Sequence, residues 1–143
     1  AARSFMRPLM DLREDGWDKI FGVNCKAVFL LARAAARLMA ESGGGHVINI
    51  STIGAVRGGA GMAVYHTSKA ALNMVTRMLS FDLQDMGIAV RVIHPGWVQT
   101  DMGGAHAAVP PQDSAAGILR LAEDLTLDNT GRFYVYSGEE HPW

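Results

Sequence analysis

Three helical patterns alternate with three short apolar runs along this sequence, and this alternation restricts the fold more than any other feature. Apolar residues recur at steps of three and four in the helical patterns, and the runs between them are rich in β-branched residues. The predicted helices cover residues 15–42, 64–86 and 114–125, and the predicted strands cover residues 46–50, 88–93 and 132–136. Alternation at this spacing predicts parallel strands joined by helical crossovers.

The predicted fold class is therefore α/β, with a doubly wound parallel sheet in a three-layer α/β/α arrangement. Three strands make a small sheet, and the first predicted helix has no strand before it. Both features predict that residues 1–143 form one partial domain, the C-terminal half of such a fold. The segments 1–14, 51–63 and 97–111 lack a clear helical or strand period and are predicted to be loops.

The composition excludes several classes of protein. Apolar residues make up 49% of the chain, too many for a disordered protein, and the net charge of −1 argues against a nucleic-acid partner. Arg33 and Arg37 interrupt the longest apolar stretch, so no membrane span is expected. The single cysteine, Cys25, suits a reducing compartment and predicts a cytoplasmic protein. No metal site is predicted.

Tyr65 and Lys69 are four residues apart in the second predicted helix, so they lie on the same face. An ammonium beside a phenol favours the phenolate and lowers the phenol's pKa from its usual value near ~10. The pair therefore predicts Tyr65 as a proton donor or acceptor near neutral pH. Alone this is a weak signal, because solvated helical pairs of these residue types are common.

Three further features are candidates for chemistry. Ser51 and Thr52 directly follow the strand 46–50, and a hydroxyl there can donate to a carbonyl oxygen. The segment 95–101 follows the strand 88–93, at the edge where open α/β sheets bind ligands. Asn24 stands in apolar surroundings and needs a hydrogen-bond partner. Each feature alone also fits an ordinary structural role, such as a helix cap, a turn or a satisfied core amide.

Taken together, in this order and spacing, these segments resemble the short-chain dehydrogenase/reductase family. The resemblance runs through residues 15–104 and rests on V-N-x-x-x-V-F-L at 23–30, N-I-S-T at 49–52, Y-H-T-S-K-A-A-L at 65–72 and H-P-G-W-V-Q-T-D at 94–101. The closing G-R-F-Y-V-Y-S-G-E-E-H-P-W resembles the carbonyl-reductase branch that includes the C-factor-like and sniffer-like proteins.

The resemblance implies an oxidoreductase that reduces a carbonyl, or oxidises an alcohol, by hydride transfer with NADP or NAD, NADPH being favoured by the branch. It implies Tyr65 as the general acid or base and as a contact of the cofactor, and Lys69 as the residue that lowers the tyrosine pKa and binds the nicotinamide ribose. Asn24 would hold a water that links Lys69 to solvent. Thr52 is favoured as the hydroxyl that polarises the substrate, with Ser51 as the alternative. The residues implied to contact the nicotinamide carboxamide are Pro95, Gly96, Val98 and Thr100.

The same resemblance also implies partners. The apolar outer faces of the two long helices, with Leu79 as a representative residue, imply a homo-oligomer through a four-helix contact. The other expected partner is a small carbonyl or alcohol substrate, bound beside the loop 103–108, whose small residues suggest a roomy pocket. His66, His106 and Cys25 are assigned no catalytic role.

One part of the family pattern is missing from the sequence. The glycine-rich loop that brings a dinucleotide pyrophosphate to a helix N-terminus has no counterpart in it. The chain is therefore expected to be a fragment of a complete enzyme that lacks the dinucleotide-binding half. The alternative is a non-catalytic binding, oligomerisation or signalling module that retains the catalytic residues only by descent.

Overall fold

The computed structural model describes Ser4 and residues 7–143, and the elements of this part of the chain follow the predicted alternation. The helices are Glu14–Phe21 (α1), Ala27–Glu41 (α2), Gly54–Arg57 (α3), Ala63–Asp82 (α4) and Pro111–Glu123 (α5), and the strands are Gly45–Ile50 (β1), Ile88–His94 (β2) and Phe133–Val135 (β3). A π-helical turn, Gly22–Lys26, joins α1 to α2.

The three strands form one parallel sheet in the order β1–β2–β3, which confirms the predicted fold class. Gly45 pairs with Ile88 at one end of the β1–β2 ladder and Ile50 pairs with Ile93 at the other. β2 is the central strand, and every residue in it but His94 is buried. Its continuous apolar run follows from this position, because a central parallel strand is covered on both faces.

The main core lies between the sheet and the two long helices. Ile88 and Val90 point to one face of β2, where they meet small residues of α2, a leucine of α4 and the leucine that directly follows α4. These residues are Ala32, Ala36, Leu79 and Leu83. On the opposite face of β2 the Arg91 side chain contacts α5, so helices lie on both sides of the sheet, in agreement with the three-layer prediction.

Arg91 is a charged residue in the middle of β2, and it is only 1% exposed. Its Nη1 donates a hydrogen bond to the carbonyl oxygen of Leu121 in α5, at 2.5 Å. The Tyr134 ring lies over the guanidinium, with 4.5 Å between the ring centroid and Cζ. A carbonyl and an aromatic face thus take the place of water around this charge.

The element boundaries correct the sequence prediction in several places. The first predicted helix is interrupted by the π-helical turn, and the second ends as a separate 3-10 turn, Gln84–Met86. The predicted loop 51–63 contains α3, and the predicted loop 1–14 contains a 3-10 turn, Leu9–Asp11. Residues 1–3, 5 and 6 of that loop lie outside the described residues.

Within the described part of the chain, none of the helices combines the length and the apolar character needed to cross a membrane. The same residues hold no group of three or more His, Cys, Asp or Glu side chains arranged to bind a metal ion.

Candidate active site

The residues predicted to carry chemistry lie where β1 and β2 end and where α4 begins. Ser51 directly follows β1, Pro95 directly follows β2, and Tyr65 and Lys69 stand in the first two turns of α4. The N–H of Ser51 donates to the carbonyl oxygen of Ile93 at 2.8 Å, which joins the ends of the two strands. This is the edge of the sheet where open α/β folds bind ligands.

Lys69 ties α4 to the end of β1. Its Nζ donates a hydrogen bond to the carbonyl oxygen of Ile50 at 2.7 Å, and the residue is only 4% exposed. Burial disfavours the ammonium and lowers the pKa of Lys69 from 10.5 to about 8. Lys69 therefore loses its proton at a lower pH than an exposed lysine does.

Tyr65 is half-buried, and burial raises the pKa of its phenol above the usual value. The sequence-based prediction of a lowered tyrosine pKa is wrong for this structure. Desolvation dominates because the phenolate would lose water, while the ammonium of Lys69 donates to the carbonyl of Ile50. Tyr65 is thus held in its protonated form across the neutral range.

Asn24 reaches the site from the π-helical turn between α1 and α2. Such a turn adds a residue to the helix and changes the direction of the side chains within it. Asn24 is 1% exposed, and its Nδ2 donates to Ser68 Oγ at 3.0 Å. Ser68 Oγ in turn donates to the carbonyl oxygen of Tyr65 at 2.7 Å. The amide therefore joins the first long helix to the turn that carries Tyr65 and Lys69.

Ser68 is a site residue that the sequence analysis missed. It is fully buried, so it lies on the inner side of α4. The available signal was its position one helical turn before the buried Leu72, because a hydroxyl in a buried stripe requires a hydrogen-bond partner.

The two candidate hydroxyls after β1 have different surroundings. Ser51 is buried, and its Oγ lies 3.5 Å from the backbone carbonyl oxygen of Lys69, to which it donates. Thr52 is half-buried, and its Oγ1 accepts a hydrogen bond from the N–H of Gly54 at 3.2 Å. Among the described residues Thr52 Oγ1 donates to no acceptor, so its proton is available to a ligand.

The segment after β2 begins with a tight turn at Gly96. This glycine has a φ of +85°, and a Cβ there would come within 2.9 Å of both the Tyr136 ring and the Val109 side chain. Ser114 Oγ fixes the preceding residue by donating to the carbonyl oxygen of Pro95 at 2.7 Å. Glycine is required on both grounds, because the conformation and the space exclude a side chain.

The residues after Gly96 form a loop whose contacts are largely internal. Val98 pairs with Val109 in an isolated bridge, which fixes the base of the loop between them. Thr100 is exposed, its Oγ1 donates to the carbonyl oxygen of Val98 at 3.4 Å, and it accepts from the N–H of Gly103 at 3.3 Å. Of the four residues predicted to contact a cofactor, Pro95 and Gly96 adjoin the strand end, whereas Thr100 is engaged within its own loop.

A cleft of about 470 Å³ lies elsewhere, between α5 and the chain around β3. Arg91, Tyr134 and Tyr136 are among the residues that line it. None of the residues predicted to carry chemistry contributes to this cleft.

The chain is similar to known proteins over most of its length. A family model described as short chain dehydrogenase matches residues 1–109. The C-signal protein of Myxococcus xanthus is 49% identical over 83 residues, a match that covers 58% of this chain and 50% of that protein. The 3-oxoacyl-[acyl-carrier-protein] reductase FabG of Rickettsia felis is 37% identical over 91 residues, covering 64% of this chain and 38% of that protein.

Solved structures agree with this result. The carbonyl reductase Sniffer of D. melanogaster superposes with a TM-score of 0.91 at 30% identity, over all of this chain and 64% of that one. The NADPH-bound carbonyl reductase from chicken fatty liver superposes with a TM-score of 0.89 at 28% identity, over all of this chain and 63% of that one. The chain thus spans half or less of the two sequence relatives and under two thirds of the two structures.

The buried ammonium of Lys69 predicts a pH-dependent stability. Its pKa falls from 10.5 to about 8 on folding, so the unfolded chain binds this proton more tightly. Below pH 8 the destabilisation is fully present, on the order of 3 kcal/mol, and it disappears as the pH rises to 10.5. Relative to Lys69→Met, the wild type should therefore gain stability between pH 8 and 10.5. Urea unfolding at several pH values measures this gain.

The matched control is Lys26→Met, which removes an exposed lysine from the π-helical turn. A free-energy difference between wild type and Lys69→Met that stays constant from pH 7 to 11 would show that Lys69 is not held with a lowered pKa.

Proposed function

The chain belongs to the short-chain dehydrogenase/reductase family, and on that premise we propose that it carries the catalytic part of a nicotinamide-dependent reductase acting on small carbonyl compounds. The same site would oxidise the corresponding alcohols. The observation that carries this proposal is the buried Lys69 ammonium, held at the end of β1 one helical turn from Tyr65. A charge buried at a ligand-binding edge of the sheet favours a catalytic role over a structural one.

The proposal includes the place of this chain in a longer protein. This chain spans 63% of the chicken carbonyl reductase, and its match to the C-signal protein covers 50% of that protein. We assign residues 1–143 to the C-terminal, catalytic half of the dinucleotide-binding fold. The glycine-rich loop for the pyrophosphate would then lie in residues outside this chain.

The donor groups of the site fit the nicotinamide–ribose end of the cofactor. Lys69 Nζ has three N–H donors, and among the described residues only the carbonyl of Ile50 accepts from it. The remaining donors can bind ribose hydroxyls, and the backbone of Pro95, Gly96 and Val98 would border the carboxamide, with Thr100 farther along the loop. NADPH is favoured over NADH by the likeness to the NADPH-bound carbonyl reductase. The bound cofactor supplies the hydride.

Tyr65 supplies the proton in this proposal. Its raised pKa keeps the phenol protonated at neutral pH, which is the form that carbonyl reduction consumes. Thr52, whose hydroxyl proton is not donated within the described residues, would hydrogen-bond the substrate oxygen and stabilise the charge that develops there. Lys69 would return a proton to Tyr65, and Asn24, which binds Ser68 beside it, would keep this part of α4 in place.

Tyr65→Phe in the complete protein should remove turnover and leave cofactor affinity almost unchanged, because only the transferable proton is lost. The expected fall in kcat is at least ~10²-fold, the range of general acid–base catalysis. Turnover is measured as NADPH oxidation with small aldehydes and ketones, and affinity by the change in cofactor fluorescence.

Two other outcomes have distinct meanings. Full turnover by Tyr65→Phe would contradict the role assigned to the tyrosine. If the wild type bound neither nicotinamide cofactor and self-association were its only measurable property, the non-catalytic module would be the better description.

Substitutions of the two hydroxyls should distinguish Thr52 from Ser51. Thr52→Ala is expected to lower kcat by ~10²–10³-fold, the usual effect of removing one donor to a developing oxyanion. Thr52→Ser keeps the hydroxyl and should retain most of the activity. Ser51→Ala should have the smaller effect, because its hydroxyl already donates to the backbone of Lys69. A larger loss with Ser51→Ala than with Thr52→Ala would reverse the assignment.

We further propose that the protein forms a homo-oligomer through its two long helices. We give the name helix-pair patch to five large apolar side chains of α2 and α4 that are exposed, and exposed apolar surface favours an interface. The residues of this helix-pair patch are Leu31, Leu38, Met74, Met78 and Phe81. Leu79, expected on this surface, is only 7% exposed and belongs to the core, so the sequence-based placement of Leu79 is wrong.

Phe81→Lys should weaken this association, because it places a charge in an apolar interface. Phe81 is 61% exposed, so the substitution should leave the fold intact. Light scattering coupled to gel filtration should show the complete wild-type protein as an oligomer and the variant as a smaller species. Leu119→Lys on α5, at a residue 59% exposed, is the matched control. A Phe81→Lys variant of unchanged mass would exclude this patch as the interface.

A further inference from the structure

We propose that His66 is a positioning residue that fixes the place of the Thr52 hydroxyl relative to the phenol of Tyr65. His66 follows Tyr65 on α4, and its half-buried ring is directed at α3, the short helix that follows Thr52. The inference rests on the proposed function, in which Thr52 polarises the substrate. It assigns His66 no contact with the substrate or the cofactor.

The His66 ring fills the space between two glycines. A Cβ at Gly54 would overlap the imidazole, at 2.6 Å from Cε1 and 2.7 Å from Cδ2. A Cβ at Gly59 would lie 3.2 Å from Cε1. Gly54 is buried within α3 and has no positive φ, so the space taken by the ring, and not the backbone conformation, requires glycine there.

Gly54 connects this contact to the proposed catalytic hydroxyl. Its N–H donates to Thr52 Oγ1 at 3.2 Å, and the N–H of Ala55 donates to the carbonyl oxygen of Thr52 at 3.0 Å. The first turn of α3 thus holds both the side chain and the backbone of Thr52. Any shift of α3 away from α4 would move the hydroxyl.

The ring acts through its shape. His66 Nδ1 is buried and has no hydrogen-bond partner among the described residues. The ring also lies against the phenol of Tyr65, with 5.6 Å between centroids and 47° between planes. One side chain therefore contacts both the loop of the hydroxyl and the ring of the proton donor. Catalytic groups displaced by about 1 Å can lose ~10²-fold in rate.

A double-mutant cycle in the complete protein tests this inference. His66→Ala should lower kcat about tenfold or more and leave the KM for the cofactor unchanged. In a Thr52→Ala background the same substitution should have almost no further effect, because the hydroxyl it positions is already absent. His66→Phe keeps a planar ring, so this variant should retain most of the wild-type activity. Effects of His66→Ala and Thr52→Ala that simply multiply would overturn the inference.

A size exchange tests the same contact from the other side. Gly54→Ala introduces a methyl group that would overlap the His66 ring. This variant should have a lower kcat and an unchanged KM for the cofactor. Adding His66→Ala to Gly54→Ala makes room for the methyl group and should recover part of the lost kcat. If His66→Ala does not fold, two variants still test the contact. Gly54→Ala perturbs it, and His66→Phe preserves it. Unchanged kcat in Gly54→Ala would then contradict the inference.

The cycle separates this inference from the proposed function. If Thr52→Ala retains full turnover, the role of Thr52 as the polarising hydroxyl is wrong, whatever His66 does. If Thr52→Ala loses turnover and His66→Ala lowers kcat equally in both backgrounds, Thr52 keeps its role and His66 acts by another route. Thermal unfolding midpoints of each variant distinguish a loss of folded protein from a loss of kcat.

Discussion

The hydrogen bond between the Lys69 ammonium and the Ile50 carbonyl is the interaction on which the geometry of the site depends. A buried ammonium is unfavourable without a hydrogen-bond acceptor, and the Ile50 carbonyl supplies one, so this bond favours keeping the end of β1 beside the start of α4. The other contacts reinforce this junction. Ser51 joins the ends of β1 and β2, and Asn24 brings the first long helix to Ser68, beside the lysine.

The sequence predicts the sheet well because local patterns determine it. The β-branched run at 88–93 and the apolar stripes of the long helices indicate a central strand between covering helices, and β2 with its core residues has that arrangement. The spacing of Tyr65 and Lys69 likewise places both on one helix face. Periodicity describes which face a residue occupies, and for these elements the face decides the packing.

The features that the sequence did not predict depend on contacts between distant segments. Leu79 fits an outer stripe of its helix but is buried, since α2 and the sheet enclose that side of α4. Arg91 is a charge in a buried strand because a carbonyl of α5 and the Tyr134 ring surround it. The glycine at position 54 is explained only by His66, twelve residues later. A single sequence contains no direct sign of these neighbours.

Burial also determines the direction in which a proton would pass between the two titrating groups. Outside a protein, lysine holds its proton slightly more tightly than tyrosine, so an ammonium would not protonate a phenolate readily. Here burial raises the pKa of Tyr65 and lowers that of Lys69 to about 8, which reverses this order. In the proposed mechanism a phenolate formed by proton donation is thus the stronger base, and Lys69 is able to reprotonate it. The same desolvation that makes the sequence-based expectation of an acidic tyrosine wrong therefore favours the direction of carbonyl reduction.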